Sequence, residues 1–239
     1  MSDIKSTREG DAIAITIDRG GEGDTVTVDQ LHGLAVAFRE AGASDAKVIA
    51  LRSAGKNFCR GRDPKRDQPS PHALAMRQNV VKPILDVYDA IASAPQPTVC
   101  SVRGDAFGFG CALATACDLT IAAADARFRL PEMEKNLPPT LAISAMMGRV
   151  TPKALTWLVY TMEEIGADTA LQVGIVSRVV PAKDLDTFTH DTIAGLTSRS
   201  REALAAVKEY LRVAPAMEPR GAADYGGSLL AAVLSSKAR

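Results

Sequence analysis

From Ala12 to Asp18, Ile13, Ile15 and Ile17 recur at every second position among smaller or polar residues, the period of a strand. Thr27 or Asp29 can then cap a helix whose apolar stripe is Leu31, Leu34, Ala35 and Phe38. Lys47 to Arg52 (KVIALR) is a short apolar run that predicts a buried strand. It ends in a glycine-containing loop, Asn57 to Asp63, and a polar, proline-bearing stretch continues to about Pro71. A long helical pattern runs from His72 to Ala94, with Val80, Ile84, Val87, Tyr88 and Ile91 on one face. Pro83 predicts a kink or break near Lys82, because proline removes one backbone donor and crowds the preceding turn.

The next stretch reads as a strand over Thr98–Val102, a glycine-rich turn over Arg103–Gly110 and a short helix over Gly110–Ala116. Strands over Asp118–Ala122 and Ala126–Leu130 come next. From Pro138 onward the pattern is almost wholly helical: Ala142–Val150, Pro152–Tyr160, Asp168–Val173, Asp184–Ser198, Arg201–Val213, and a last helix ending near Leu234. Strand–loop–helix units in series predict an α/β body that presents ligands at strand ends. The helical remainder gives two regions in one structural unit, a core over 1–181 and a C-terminal region over 182–239.

Composition narrows the chemistry. The 239 residues carry 28 Lys plus Arg and 28 Asp plus Glu, a balance that argues against a dedicated nucleic-acid or anionic-membrane binder. Aromatic residues are only 5%, which leaves few platforms for stacking bases. Cys59, Cys100, Cys111 and Cys117 include no C-x-x-C pair, and His32, His72 and His190 stand apart. Reduced packing thiols are therefore expected, and no metal site. The polar start, MSDIKSTREGD, carries no secretory signal, and the most apolar stretch, 110–124, is interrupted by Asp118. A cytoplasmic protein is the expectation.

Two loops stand out: Phe58-Cys59-Arg60-Gly61-Arg62-Asp63 and Arg103-Gly104-Asp105-Ala106-Phe107-Gly108-Phe109-Gly110, each placed after a strand. Glycine lets backbone approach a ligand, and a helix start offers N–H groups to a negative oxygen. The glycines do not form G-x-G-x-x-G. There is also no Walker sequence and no G-x-S-x-G elbow. Taken singly, each loop is a tight turn that needs glycine.

Together with the segment from Cys111 to Met133, the two loops carry a resemblance. FCRGRD and then PTVCSVRGDAFGFGCALATACDLTIAAADARFRLPEM resemble the crotonase superfamily, also called the enoyl-CoA hydratase/isomerase family. The matches are Phe58, Cys59, Gly61, Asp63, Val102, Gly104, Gly108, Gly110, Leu113, Cys117, Asp118, Ile121, Ala122, Ala126, Phe128, Pro131 and Glu132. The resemblance implies a crotonase-like spiral of β-β-α turns with a helical C-terminal trimerisation region, assembled as a homotrimer or hexamer. It also implies an acyl-CoA thioester as substrate, with no cofactor beyond that coenzyme A and no nucleic-acid or membrane partner.

Carried over by position, the backbone N–H groups of Arg60 and Phe109 would hold the thioester oxygen, and Glu132 would be the acid/base. Phe58, Arg60, Gly61, Arg62, Asp63, Gly108 and Ala112 would line the substrate site. Lys65 and Arg66, with Arg60 and Arg62, form a basic cluster suited to coenzyme A phosphates; alone, such a cluster is a solvated charge run.

The departures bear on the reaction. Phe109 fills the middle of what is usually a glycine triplet, Arg60 stands where Ala or Ser is usual, and Asn136 replaces a glycine. Ala112 occupies the position of one of the two glutamates with which hydratases of the family hold a water; Glu132 is the other. A lone carboxylate can still shuttle a proton between two carbons, which favours an enoyl-CoA isomerase, whereas the family label favours a hydratase. Asp105 or His72 could stand in for the missing carboxylate. The alternative is a catalytically weak acyl-CoA-binding protein. The tail patterns D-x-x-E-G and A-F-x-E-K-R do not appear after Leu234, so a more open coenzyme A site is expected.

Overall fold

In a computed structural model that describes residues 3–19, 24–63 and 72–236, two sheets are built turn by turn. The larger sheet has six strands: β1 (Ile4–Glu9), β2 (Ala12–Ile17), β3 (Val48–Ser53), β4 (Thr98–Val102), β6 (Leu119–Ala123) and β9 (Arg178–Val180). Their order in space is β1-β2-β3-β4-β6-β9. Only the β1–β2 pair is antiparallel. The smaller sheet pairs β5 (Asp105–Phe107), β7 (Arg127–Arg129) and β8 (Ile165–Gly166). Single parallel bridges, Val26 to Arg62 and Cys59 to Ala106, extend the same stacking to the two earlier turns.

Each turn adds a strand to the large sheet, a short pairing to the second layer and then a helix. The helices are α1 (Val28–Ala43), α2 (Ala73–Met76) continuing into α3 (Lys82–Ser93), α4 (Phe109–Ala116) and α5 (Thr140–Met146). This is the expected spiral of β-β-α turns. After it come α6 (Pro152–Thr161), α7 (Ala167–Val173), α8 (Leu185–Thr197), α9 (Arg201–Val213) and α10 (Pro219–Ser236).

The inner strands are buried on both faces, as parallel strands between helices should be. Alternate residues serve opposite sides. Ile49, Leu51, Cys100 and Val102 join the main core with α1, α3 and α4. Val48, Val99, Ile121 and Val180 join a second cluster under Leu185, Ile193 and Leu196 of α8. Thr27 caps α1 through a reciprocal pair: the Gln30 N–H donates to its hydroxyl at 3.2 Å, and its own N–H donates to the Gln30 side chain at 2.9 Å.

Three differences from the sequence reading have physical causes. β1 was hidden within the polar N-terminus because only Ile4 is buried; its other residues face solvent at the sheet edge. The break expected near Lys82 is a π-type turn over Arg77–Val81, immediately before Pro83 at the second position of α3. The extra residue in that turn accommodates the donor that proline lacks. β9 has three residues and no alternation long enough to read.

The C-terminal helices are tied to the body by Lys208 of α9, whose side chain is 8% exposed. Its ammonium donates to the Ile91 and Gln96 carbonyls and to Asp118, each at 2.9 Å. α10 buries no residue; it rests on α9 through a Tyr210–Tyr225 stack with centroids 6.4 Å apart. No helix among the described residues is long and apolar enough to cross a membrane.

Candidate active site

The two loops singled out in the sequence form one scaffold. Phe58 N–H donates to Arg103 C=O at 2.9 Å, Cys59 N–H to Asp105 C=O at 3.0 Å, and Phe107 N–H to Cys59 C=O at 2.8 Å. Asn57 staples them together: its side-chain N–H donates to Asp24 at 2.7 Å, and its side-chain oxygen accepts from Asp105 N–H at 2.9 Å. Beneath lies the buried guanidinium of Arg19, which donates to Ser53 Oγ at 3.0 Å and to the Asn57 and Phe58 carbonyls at 3.2 and 3.0 Å.

The second loop turns at Gly108, with φ +52°, and its N–H donates to Arg129 C=O at 2.8 Å. A side chain there would place its Cβ 2.9 Å from Glu132 Oε1. At Gly110, a Cβ would overlap the Cys59 carbonyl. Glycine at these two positions therefore brings the first turn of α4 against the first loop and the Glu132 carboxylate against the second. No side chain caps α4, and the N–H of Phe109 at its first position has no acceptor among the described residues. A helix start leaves such donors unpaired, with the positive end of the helix dipole behind them.

Glu132 opens a 3-10 turn (Glu132–Lys135) just after β7, ending at Asn136 in the left-handed conformation, φ 55°. Asn there needs no glycine, since it visits that region readily. The carboxyl Oε2 is buried and has no hydrogen-bond partner among the described residues. Burial raises the Glu132 pKa above its ordinary value of 4.5. Around it lie α4 and α3. Burial, then the Glu132 charge, pushes the Cys111 thiol up to about 12, and the same two causes in the same order raise the Tyr88 phenol. Tyr88 stacks on Phe109 with centroids 6.0 Å apart and planes 21° apart.

The remaining expected site residues divide. Arg60 does not have the expected role: its N–H donates to Asp24 C=O at 2.7 Å, so that donor is already engaged within the loop. Its exposed side chain lies 5.4 Å over the Phe107 ring and 3.3 Å from Asp105. Asp105 is thus committed to Arg60, and His72 is exposed at the start of α2. Arg62 and Asp63 are half-buried. The Val26 N–H donates to Gly61 C=O at 2.9 Å and Asp63 N–H to Val26 C=O at 2.8 Å. Between these two bonds the parallel pattern turns the Arg62 N–H to the side away from Val26.

Phe58 is fully buried and supports the loop from below. Ala112 is fully buried one turn along α4 from Phe109. Lys65 and Arg66 lie outside the described residues. Cys59 is buried and its thiol pKa is raised by that burial, which suits packing rather than nucleophilic attack. Among the described residues no three His, Cys, Asp or Glu side chains are grouped to hold a metal ion.

Sequence reasoning passed over Arg19, Asn57 and Tyr88 as site builders. Tyr88 was visible only as one position of an apolar stripe. Arg19 and Asn57 act through backbone carbonyls and amides, which leave no pattern in a sequence.

The arrangement sets a partly buried carboxylate near the start of a helix whose first N–H has no acceptor among the described residues, with Tyr88, Phe109 and Cys111 around it. Such a pair can hold a carbonyl oxygen while moving a proton on an adjacent carbon.

Comparison with known proteins identifies the family. The family model described as enoyl-CoA hydratase/isomerase matches residues 7–226. A probable enoyl-CoA hydratase of Mycobacterium tuberculosis is 32% identical over 166 residues, covering 69% of this chain and 63% of that protein. The short-chain-enoyl-CoA hydratase of Clostridium acetobutylicum is 26% identical over 189 residues, covering 77% and 71%. The chain thus aligns with less than two thirds of the first of these relatives. Among solved structures, an enoyl-CoA hydratase from Mycobacterium smegmatis superposes with a TM-score of 0.92 at 26% identity, covering 97% of this chain and 91% of that one. Human enoyl Coenzyme A hydratase domain-containing protein 3 gives 0.91 at 23% identity, covering 98% and 92%, a likeness of fold. This chain belongs to the enoyl-CoA hydratase/isomerase family.

Proposed function

We propose that this chain acts on acyl-CoA thioesters and shifts a double bond from the 3- to the 2-position, with Glu132 as its single acid/base. The observation that carries the reading is the Glu132 carboxylate, half-buried, with one oxygen unpartnered, set against Gly108 at the start of α4. Glu132 takes a proton from the second carbon of a 3-enoyl thioester. The charge passes to the thioester oxygen, and Glu132 returns the proton to the fourth carbon.

Phe109 N–H meets the developing oxyanion, a contact that contributes about 3 kcal/mol in comparable sites. The direction of the Arg62 N–H supports it, in place of Arg60, as the second donor. Ala112 supplies no second carboxylate, so a water would have no pair of acids to hold it. The site calls for no cofactor beyond the substrate's coenzyme A. Exposed Val207, Leu211, Leu230 and Leu234 on α9 and α10 support self-association, as trimers or hexamers, which sedimentation measures.

Turnover of 3-enoyl- and 2-enoyl-CoA thioesters, assayed in parallel, tests the reading. Isomerisation without hydration is expected, with hydration appearing in Ala112→Glu. Efficient hydration by the unaltered protein would overturn it. A second reading, an acyl-CoA binder with little catalysis, is favoured by one observation: the Arg60 N–H is engaged by Asp24. Thermal stabilisation by coenzyme A with no turnover of either thioester would select it.

A further inference from the structure

Glu132 is the first residue of a four-residue 3-10 turn, and no residue of that turn is buried. The turn's backbone bonds are local: Glu134 N–H donates to Pro131 C=O at 3.0 Å, and Leu137 N–H to Glu132 C=O at 3.2 Å. A 3-10 turn has poorer hydrogen-bond geometry than an α-helix. Packing and its own backbone therefore give the turn little hold, yet the Glu132 carboxylate lies close against Gly108.

Arg129, three residues earlier at the end of β7, reaches the parts that the turn must be held to. In the strand pairing it stands opposite Phe107, and its carbonyl accepts from Gly108 N–H at 2.8 Å. Its Nε donates to the Met162 carbonyl at 2.7 Å, where α6 ends in a left-handed residue with φ 54°. Its Nη2 donates to Glu134 Oε1, inside the turn. A planar guanidinium fixes two such directions at once, which a point charge on a flexible stem does not. The Arg129 side chain is 29% exposed and that of Glu134 47%. A pair as exposed as this contributes little to stability. Its consequence is geometric: the main chain of Arg129 holds the loop that leads into Phe109, and its side chain holds the turn that begins with Glu132.

We propose that Arg129 is a positioning residue which, acting through Glu134, keeps the Glu132 carboxylate against the start of α4 and partly out of water. The inference rests on the reading of Glu132 as the acid/base. The raised pKa of Glu132, caused by burial, fits a carboxylate held in this way.

The test compares the unaltered chain with Arg129→Gln, Glu134→Gln and the double variant. The Glu132 titration is read from its carboxyl carbon by nuclear magnetic resonance, as the signal missing from Glu132→Gln; it needs no turnover. In Arg129→Gln the Glu132 pKa should fall toward 4.5 as the released carboxyl gains water, whereas loss of a positive charge alone would raise it. On 2-enoyl- and 3-enoyl-CoA, kcat should fall on the order of tenfold in Arg129→Gln with KM little changed, the mark of a misplaced reacting group. Glu134→Gln, which keeps the Met162 bond, should lose less at an unchanged melting midpoint. The double variant should lose no more than Arg129→Gln alone, since the two residues act as one unit.

A folded Arg129→Gln whose Glu132 titrates at or above the unaltered value would overturn the proposal. So would additive losses in the double variant, or a change confined to KM. Should Arg129→Gln fail to fold, an unchanged kcat in Glu134→Gln overturns it alone. Full activity in Glu132→Gln ends the acid/base reading itself. Lost activity there, with titration and kcat insensitive to Arg129→Gln, ends only the inference on Arg129.

Discussion

At the scale of single residues, Glu132 carries a conflict between stability and chemistry. Its buried carboxyl has a raised pKa, so the folded state holds that proton more tightly than the unfolded chain does. The group favours folding most below 4.5, and that contribution is lost as pH rises through the raised folded value. Glu132→Gln should therefore have a higher unfolding midpoint than the unaltered protein at neutral pH, with the gap closing toward acid, in paired thermal melts across pH. The same variant should lose about 10²- to 10⁴-fold in turnover, the usual worth of a positioned acid/base. In the unaltered protein, kcat/KM should fall on the acid side at a pH above the ordinary glutamate range, because only the ionised form accepts the proton.

At the scale of elements, the position of α4 depends on an absent side chain. Gly110→Ala would drive a methyl into the Cys59 carbonyl, so α4 or the first loop must shift. A cost of about 1–3 kcal/mol is expected. The larger effect should be on kcat, since the Phe109 N–H would leave its position; chemical denaturation and steady-state kinetics on one sample separate the two.

This is also the scale at which the sequence was most informative. The strands β2, β3 and β4, the capped α1 and both glycine loops are legible from alternation, helical period and turn chemistry. They are stretches where local preference and buried face agree. β1 and β9 were hidden for opposite reasons, one exposed along all but a single residue and the other too short for a period. The site was half legible. Glu132, Gly108 and Phe109 belong to motifs fixed in spacing, whereas the fate of the Arg60 N–H depends on Asp24, a partner 36 positions away whose contact no local pattern announces.

Over the whole molecule, Lys208 joins the helical C-terminal part to the spiral. It reaches carbonyls at the end of α3 and just before β4, and the Asp118 carboxylate that also accepts from Thr98 N–H and Oγ1 at 2.8 Å. Removing the ammonium leaves Asp118 a quarter exposed and facing two carbonyls that have lost a donor. Lys208→Ala should cost about 3 kcal/mol or more. It should also raise hydrogen exchange in α9 and α10 before the sheet is affected, which mass spectrometry resolves helix by helix. The candidate site draws on α3, α4, the two loops and the turn that carries Glu132, so activity in the folded fraction should persist.

The π-type turn over Arg77–Val81 gives the chain a tolerance to changes of length. α3 is anchored downstream of it by buried Pro83, Ile84, Val87 and Ile91, whereas Gln78 and Asn79 within it are exposed. Deleting one of these two residues would let the turn relax to ordinary α-helical winding. The stretch before it would rotate about 100° while α3 stays in place. Activity and the Tyr88–Phe109 contact, read by near-ultraviolet circular dichroism, should survive that deletion. The same deletion two turns later, at Asp86, should abolish both. The π-type turn thus lets the chain lose a residue over evolutionary time without disturbing the candidate site behind it.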